Sequence, residues 1–407
     1  MTATTQSSAS PSSLLISLSP ILAAVFFAFL VAGMALPVLP LHVQNDLGLS
    51  TFIVGLVSGS QFAAALLSRM WAGRYADGKG AKHAVIAGLI AASAGGSLYV
   101  VSLLFLDNPA WSAAILATGR AVLGGGESFI ITGAIGWGLA LAGVQNTGRV
   151  LAWMGMAMYA AFAFGAPAGT ALNAAFGFTS IAWETALIPL LILILIFPMR
   201  SVAPMARKSP PFLEVLRAVW LPGTGLALSS LGFGSITAFS ALLFAQNEWE
   251  PAWPAFTAFA GCFMLARFLF GGHVDRIGGA RVALLSIGVE AVGLLMLWGS
   301  RGPVMAVIGA GLTGLGYSLI FPGLGVEAVR RAPANARALA MGAYTACLDL
   351  ALGLGMPLLG LLAGRLNVQA VFLISAAGVS SASIATLHLM RRSSTTTPSN
   401  FETGSSK

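Results

Sequence analysis

A short charged segment occurs twice in this chain, 198 residues apart, each time between long apolar stretches. The first copy reads Arg69-x3-Gly73-x3-Asp77-x2-Gly80, followed by Lys82; the second reads Arg267-x3-Gly271-x3-Asp275-x2-Gly278, followed by Arg281. Charged residues occupy only 8% of the 407 positions, against about a quarter of an ordinary soluble domain. With 57% hydrophobic residues beside them, there is too little charge to cover a soluble surface, so the solvent for most of the chain is lipid. A charged repeat at half the chain length then predicts two homologous halves built from membrane-spanning helices, an architecture used by secondary transporters.

Apolar stretches long enough to cross a bilayer, about 20 residues each, fall near 15–42, 49–72, 83–106, 111–140, 150–172 and 177–198. A second set falls near 219–245, 252–270, 280–300, 302–328, 338–363 and 368–390. The expected organisation is a disordered tail at 1–14, a six-helix bundle at 15–198, a linker at 199–218, a second bundle at 219–390 and a disordered tail at 391–407. The linker holds Pro204, Pro210 and Pro211 among four basic residues and predicts a short amphipathic helix at its end. Both tails are rich in Ser and Thr and too polar to bury a core. The first apolar stretch lacks a basic n-region and is too long for a cleavable signal.

Basic residues orient the spans. The tails, the loops on their side and the adjoining helix ends carry 18 of the 21 Lys and Arg, which predicts that both termini are cytoplasmic. The net charge of +8 is accounted for by this bias, and no basic patch with interleaved aromatics points to nucleic acid. Cys262 and Cys347 both lie inside apolar stretches and read as packing residues, not as a disulfide or a metal site.

Gly73-x3-Asp77-x2-Gly80-x-Lys82 resembles the loop signature of the major facilitator superfamily, at the place between spans 2 and 3 where that family carries it. Gly271-x3-Asp275-Arg276-x-Gly278-x2-Arg281 repeats it between spans 8 and 9. The resemblance covers the whole chain and implies an all-α membrane protein of twelve transmembrane helices, the major facilitator fold of two pseudo-symmetric six-helix halves. Glycines allow close helix approach and a tight turn, and a carboxylate can meet the positive end of a neighbouring helix. The resemblance implies that Asp77 braces the start of span 11 when the cytoplasmic side is closed, and that Asp275 does so against span 5. Gly78 and Ala81 depart from the family's basic positions, so the first copy has fewer charges than the pattern.

Span 4 carries Arg120-x3-Gly124-x-Gly126-Glu127, which resembles the family's span-4 arginine motif. Arg120 and Glu127 lie on nearly one face, about 10 Å apart along a helix. Span 5 carries Gly155 and then Gly165-x-Pro167-x-Gly169, resembling the helix-packing motif of drug:proton antiporters with its middle glycine replaced. Span 11 has a similar ending at Gly355-Met356-Pro357 and Gly360.

Of thirteen acidic residues, Glu127, Glu290 and Asp349 lie well inside spans. Ionisable groups at membrane depth mark pathways or relays, and Glu127 and Asp349 are the candidates for proton coupling; Glu290 reads as a helix–helix contact. The substrate site is expected between the halves near the midplane, with Gln61, Arg120, Trp137, Tyr159, Tyr317 and Tyr344 as candidate lining. One arginine with one or two carboxylates suits a polar or zwitterionic solute.

A membrane enzyme is disfavoured because His42, His83, His273 and His388 are scattered, and neither His-Glu-x-x-His nor Gly-x-Ser-x-Gly occurs. A primary pump is disfavoured by the lack of a phosphate-binding Gly-x4-Gly-Lys-Ser/Thr loop. Within the superfamily, stretches such as Ala72–Asp77 and Phe321–Val326 are similar to the bacterial YhhS/YfcJ-type group. The resemblance implies a monomeric carrier in the bacterial inner membrane that moves a small organic solute by alternating access. The expected energy source is a proton gradient, with no cofactor or metal. Proton-coupled efflux by antiport is the leading reading; proton symport or uncoupled diffusion of a polar metabolite is the alternative.

Overall fold

The computed structural model describes residues 11–143, 146–202, 212–271, 273–332 and 337–394, with side chains over 14–143, 146–202, 215–271, 273–274, 276–332 and 339–391. Helix α1 spans Pro11–Leu41 and continues as a π-helical turn at His42–Asp46. The first half is completed by α2 (Thr51–Lys79), α3 (Ala81–Ser102), α4 (Pro109–Ala142), α5 (Thr147–Phe176) and α6 (Phe178–Ile196). The second contains α7 (Phe212–Gln246), α8 (Trp253–Phe270), the short α9 (His273–Ile277), α10 (Gly279–Trp298), α11 (Pro303–Arg331), α12 (Arg337–Arg365) and α13 (Val368–Ser394). Twelve of these are long and apolar enough to cross a membrane, and no strand occurs among the described residues. Many large apolar side chains, such as Ile194, Phe268 and Ile384, stay more than 70% exposed. Water would penalise so much apolar surface, whereas lipid accepts it.

Two boundaries differ from the sequence expectation. Helix α2 runs on to Lys79, so Gly73 and Asp77 lie on its last turns and the chain turns only at Gly80. Hydropathy falls where the helix leaves lipid, not where its hydrogen bonds stop. Likewise α7 begins at Phe212, inside the expected linker, and runs unbroken to Gln246. Of the expected tails, 1–10 and 395–407 lie outside the described residues, as does linker segment 203–211.

The pseudo-symmetry can be read position by position. Gly80 and Gly278, equivalent in the repeat, both take positive φ (100° and 93°) immediately before α3 and α10. The left-handed conformation strains any residue with a Cβ, so both turns need glycine. The 198-residue offset relates α2 to α8 and α3 to α10, while the two Gly-x-Pro segments set a 190-residue offset between α5 and α12. The same 190 relates α4 to α11: Gly95 faces Gly119 just as Gly293 faces Gly309.

The halves meet along two symmetry-related helix pairs, α2 with α12 and α5 with α8. The face on which α1 begins and α13 ends is called here the terminal face. Away from it the contacts are tight: Thr51 Oγ1 donates to the Gly360 carbonyl at 2.8 Å, and a Cβ on Gly59 would lie 2.9 Å from the Gly353 carbonyl. The symmetry mate of that second contact is Thr257 Oγ1 donating to the Ala163 carbonyl at 3.2 Å. Toward the terminal face the helices part. A Cβ on Gly73, Gly155 or Gly342 would meet nothing within 4 Å. Each lies one or two turns from an interface residue (Arg69, Tyr159 and Asp349) on the same helix face. The interface is therefore closed at one end and splayed at the other.

Candidate functional site

Helix α2 lies between α4 of its own half and α12 of the other, and carries a polar residue toward each. Gln61 and Arg69 are eight residues apart, about 12 Å along the axis. Gln61 is buried and its Nε2 donates to Glu127 Oε2 at 2.5 Å. That approach depends on Gly124, where any Cβ would strike the Gln61 backbone. Arg69 donates through Nε at 2.8 Å and through a terminal nitrogen at 2.5 Å to one oxygen of Asp349. The Asp349 side chain is 4% exposed and that of Arg69 is 24% exposed. This ion pair joins the two halves at the level where the interface begins to splay.

Glu127 and Asp349, from opposite halves, lie close enough to act electrostatically on one another. Glu127 Oε1 and Gln61 Oε1 are buried without a hydrogen-bond partner. Buried charges out of balance are costly, so any loss of the guanidinium from Asp349 must be matched by a proton or another cation. An exchange of one cationic partner for another at this cluster would therefore act on a contact between the two halves.

The symmetry-related positions carry different chemistry. The 190-residue offset takes Asp349 to Tyr159 and Glu127 to Tyr317; the 198-residue offset takes Arg69 to Arg267 and Gln61 to Phe259. Tyr159 stacks across the interface on Phe263 at 3.5 Å between centroids, and Arg267 lies 5.6 Å over the same Phe263 ring. Arg267 is within electrostatic reach of both Tyr159 and Tyr344. Tyr317 stacks on Phe233 at 5.7 Å and shares a 3.2 Å hydrogen bond with Ser230. One side of the interface is thus carboxylate and amide; its mirror is aromatic.

The remaining candidates are placed as follows. Arg120 is 1% exposed and points into its own half, donating to Tyr99 Oη at 3.4 Å, with its Nε unpartnered. Trp137 is buried within α4, with Nε1 unpartnered, and Tyr344 is fully buried and donates to the Phe321 carbonyl at 2.9 Å. Asp77 is exposed, with no ion pair or hydrogen bond to a described residue. Lys82 donates to the carbonyls of Phe197 at 2.7 Å and Met199 at 2.5 Å, beyond the end of α6, where a cation suits the helix dipole. Gly271 caps α8, Arg276 and Arg281 are exposed, and the side chain of Asp275 lies outside those described. Gly165 and Gly169 seat α5 against the backbone of Gly33 and Met34, with Pro167 between them. Glu290 is fully buried in the second half near Tyr317, with both oxygens unpartnered. The partner of Arg69 was not anticipated from sequence, although Arg69 opens the repeat and its mate Arg267 has the same helix position.

The family model of the Major Facilitator Superfamily matches residues 21–249 and 224–405. An uncharacterized MFS-type transporter of Salmonella typhimurium is 44% identical over 362 residues, covering 89% of this chain and 93% of its own. One from Pseudomonas aeruginosa strain UCBPP-PA14 is 39% identical over 383 residues, covering 90% and 92%. Among solved structures, a D-xylose–proton symporter superposes with a TM-score of 0.73 at 13% identity, covering 92% of this chain and 96% of that one. The nucleoside transporter NupG gives 0.67 at 15%, covering 92% and 99%, and the human organic anion transporter MFSD10 gives 0.69 at 14%, covering 93% and 100%. At such identities the solved structures establish the fold alone. With twelve membrane-capable helices, a duplicated charged segment and bacterial relatives that are transporters and not enzymes, the chain belongs to the Major Facilitator Superfamily.

Proposed function

We propose that this chain is a proton-coupled carrier of a small organic solute in the bacterial inner membrane, working by alternating access in the direction of efflux. The observation that carries this reading is the Arg69–Asp349 ion pair, made across the two halves beside a second buried carboxylate, Glu127. Protonation of Asp349 removes the charge that holds Arg69, so proton uptake and rearrangement of the halves become one event. The positive-inside bias supports a cytoplasmic terminal face, and with that orientation the splayed interface opens inward. In this state Asp77 has no ionic partner among the described residues, as expected of a brace that engages when the cytoplasmic side closes. The solved D-xylose–proton symporter supports proton coupling as compatible with this fold.

The solute site falls between the halves, bounded by Gln61 and Glu127 on one side and Tyr159 on the other. A polar solute with one flat apolar face matches both surfaces. A single chain supplies both halves of the interface, which supports a carrier that works as a monomer.

The test is proton movement in proteoliposomes under imposed pH gradients of either sign, with solutes chosen by a ligand-stabilisation screen of the purified protein. Efflux by antiport predicts that solute moves against the proton flow, whereas symport or uniport gives solute moving with it or indifferent to it. If Asp349→Asn and Glu127→Gln both leave gradient-driven movement at wild-type rates, the coupling assignment fails.

A further inference from the structure

The first half contains a second set of buried polar groups that the interface cluster does not use, and it runs from the far face toward Glu127. At its mouth the π-helical turn after α1 places Asp46, whose side chain is 61% exposed, against His42, whose side chain is 3% exposed. His42 Nδ1 and Asp46 Oδ2 are 2.7 Å apart, and His42 Nε2 is buried without a partner. Single π-turns inside or beside α-helices often mark functional positions. The His42 ring stacks on Phe178 at 3.8 Å, and Phe178 in turn stacks on Tyr99 at 6.3 Å.

Behind that ring lie groups with no structural reason to be polar. Both carboxyl oxygens of Glu184 are buried and unpartnered; the hydroxyl of its neighbour Thr185 is already committed to the Ile181 carbonyl at 2.6 Å. Glu184 lies within electrostatic reach of Tyr99, as do Arg120 and Glu127. Tyr99 is fully buried near the end of α3, and its only side-chain hydrogen bond among the described residues is the long one from Arg120. Tyr99 of α3 links these groups: Glu184 of α6 and Arg120 and Glu127 of α4 all act electrostatically on it, and the His42–Asp46 pair adjoins it through the Phe178 ring. Five unpartnered polar atoms (Glu184 Oε1 and Oε2, Arg120 Nε, Glu127 Oε1 and Gln61 Oε1) lie along one line of helices. Each would cost several kcal/mol if left dry in hydrocarbon, so the line calls for internal water.

We propose that protons reach Glu127 from the face opposite the termini through the interior of the first half, by a water-filled track lined by Glu184, Tyr99 and Arg120 and entered at His42–Asp46. The track is separate from the space between the halves, and Arg120 serves it as a fixed charge that orders water, not as a carrier. It rests on the assignment of Glu127 as a coupling group, and it explains how far-side protons arrive while the far end of the interface is closed by Thr51–Gly360 and Gly59–Gly353.

The experiment records charge displacement after a pH jump in proteoliposomes holding the full chain in a single orientation, selected by a tag at the terminal face. No solute is required. Wild-type protein responds to a jump on either face. Glu184→Gln slows the response to a far-face jump by about a hundredfold or more, as loss of a positioned proton carrier does, and leaves the terminal-face response at the wild-type rate. Tyr99→Phe, nearly isosteric, slows the far-face response in the same direction. A retained terminal-face response reports that each variant is folded. If both variants keep the wild-type far-face rate while Glu127→Gln silences both faces, Glu127 couples but the track is wrong. If Glu184→Gln silences both faces, Glu184 belongs to the coupling site or the fold, and the access assignment is overturned. If Glu127→Gln leaves both faces responsive, the coupling reading fails, and the track with it.

Discussion

Arg69→Ala tests the interface cluster most directly, because its two members differ so much in exposure. The Asp349 side chain is 4% exposed and the Arg69 side chain 24% exposed. Deleting one partner of a fully buried ion pair costs about 3–5 kcal/mol, and an exposed pair contributes about 0–1 kcal/mol. Partial exposure of Arg69 puts the present pair between these, at about 2–3 kcal/mol. Part of that cost is loss of stability. The rest weakens the contact across the halves, which changes the balance between closed and open far ends by roughly 30- to 150-fold if all of it falls there. Asp349→Asn removes the buried charge together with its need for a partner, so the double variant Arg69→Ala/Asp349→Asn recovers at least about 1 kcal/mol of the single variant's loss. Two measurements check this: thermal unfolding of all four proteins, and spin-label distances between exposed positions Ser50 and Leu366 at the far face. The labels require a background lacking Cys262 and Cys347. The far-face distance distribution broadens toward longer values in Arg69→Ala and returns in the double variant. If Arg69→Ala is as stable as wild type, or if the double variant is simply the sum of the singles, the pair carries no coupling energy and the proposed latch is wrong.

Gly80→Ala and Gly278→Ala each force a Cβ into a left-handed turn and cost about 1–2 kcal/mol in thermal unfolding, with equal penalties expected from the symmetry. Lys82→Met removes the cation from beyond α6 and costs about 0.5–1 kcal/mol, an effect that weakens at high salt. Gly95→Leu wedges α3 from α4, because even a Cβ would lie 2.7 Å from the Gly119 carbonyl; monodisperse protein in detergent is expected to be lost. Tyr159→Asp places a carboxylate beside Arg267 in the position symmetric to Asp349; the expected outcome is slower pH-driven charge movement, with a lower unfolding temperature because the stacking on Phe263 is lost.

The helix count was legible because lipid forces every span to be long and apolar, and the repeat was legible because charges are scarce enough for matching ones to stand out. The ends of α2 and α7 were not, since a helix that projects from lipid becomes polar without ceasing to be a helix. Glu127 and Asp349 could be found by elimination among few carboxylates. Their partners could not: the bond from Gln61 depends on the backbone approach that Gly124 permits, and Arg69 reaches Asp349 across 280 residues of sequence. Arg120 and Glu127 share a helix face, but each found its hydrogen-bond partner on another helix, Tyr99 on α3 and Gln61 on α2. Helical periodicity identifies what lies on a face, whereas packing decides which neighbour answers it.

The symmetry gives the asymmetry its meaning. A duplicated fold supplies two equivalent arginines at the interface, Arg69 and Arg267, each held by the helix that follows the same geometry in its own half. Only one faces a carboxylate; the other faces Tyr159 and the Phe263 ring. A tyrosine cannot trade its proton for a guanidinium in the neutral range, since its ordinary pKa of about 10 leaves it uncharged. On the proposed reading, one interface pair is therefore a switch and its mirror image a hinge: α2 and α12 part when Asp349 is protonated, while α5 and α8 pivot on a stacked, uncharged contact. Two carboxylate pairs would need two protons for one rearrangement and would resist movement whenever only one had arrived. On the same reading, a titratable group on one side only would let a single proton at Asp349 release the interface.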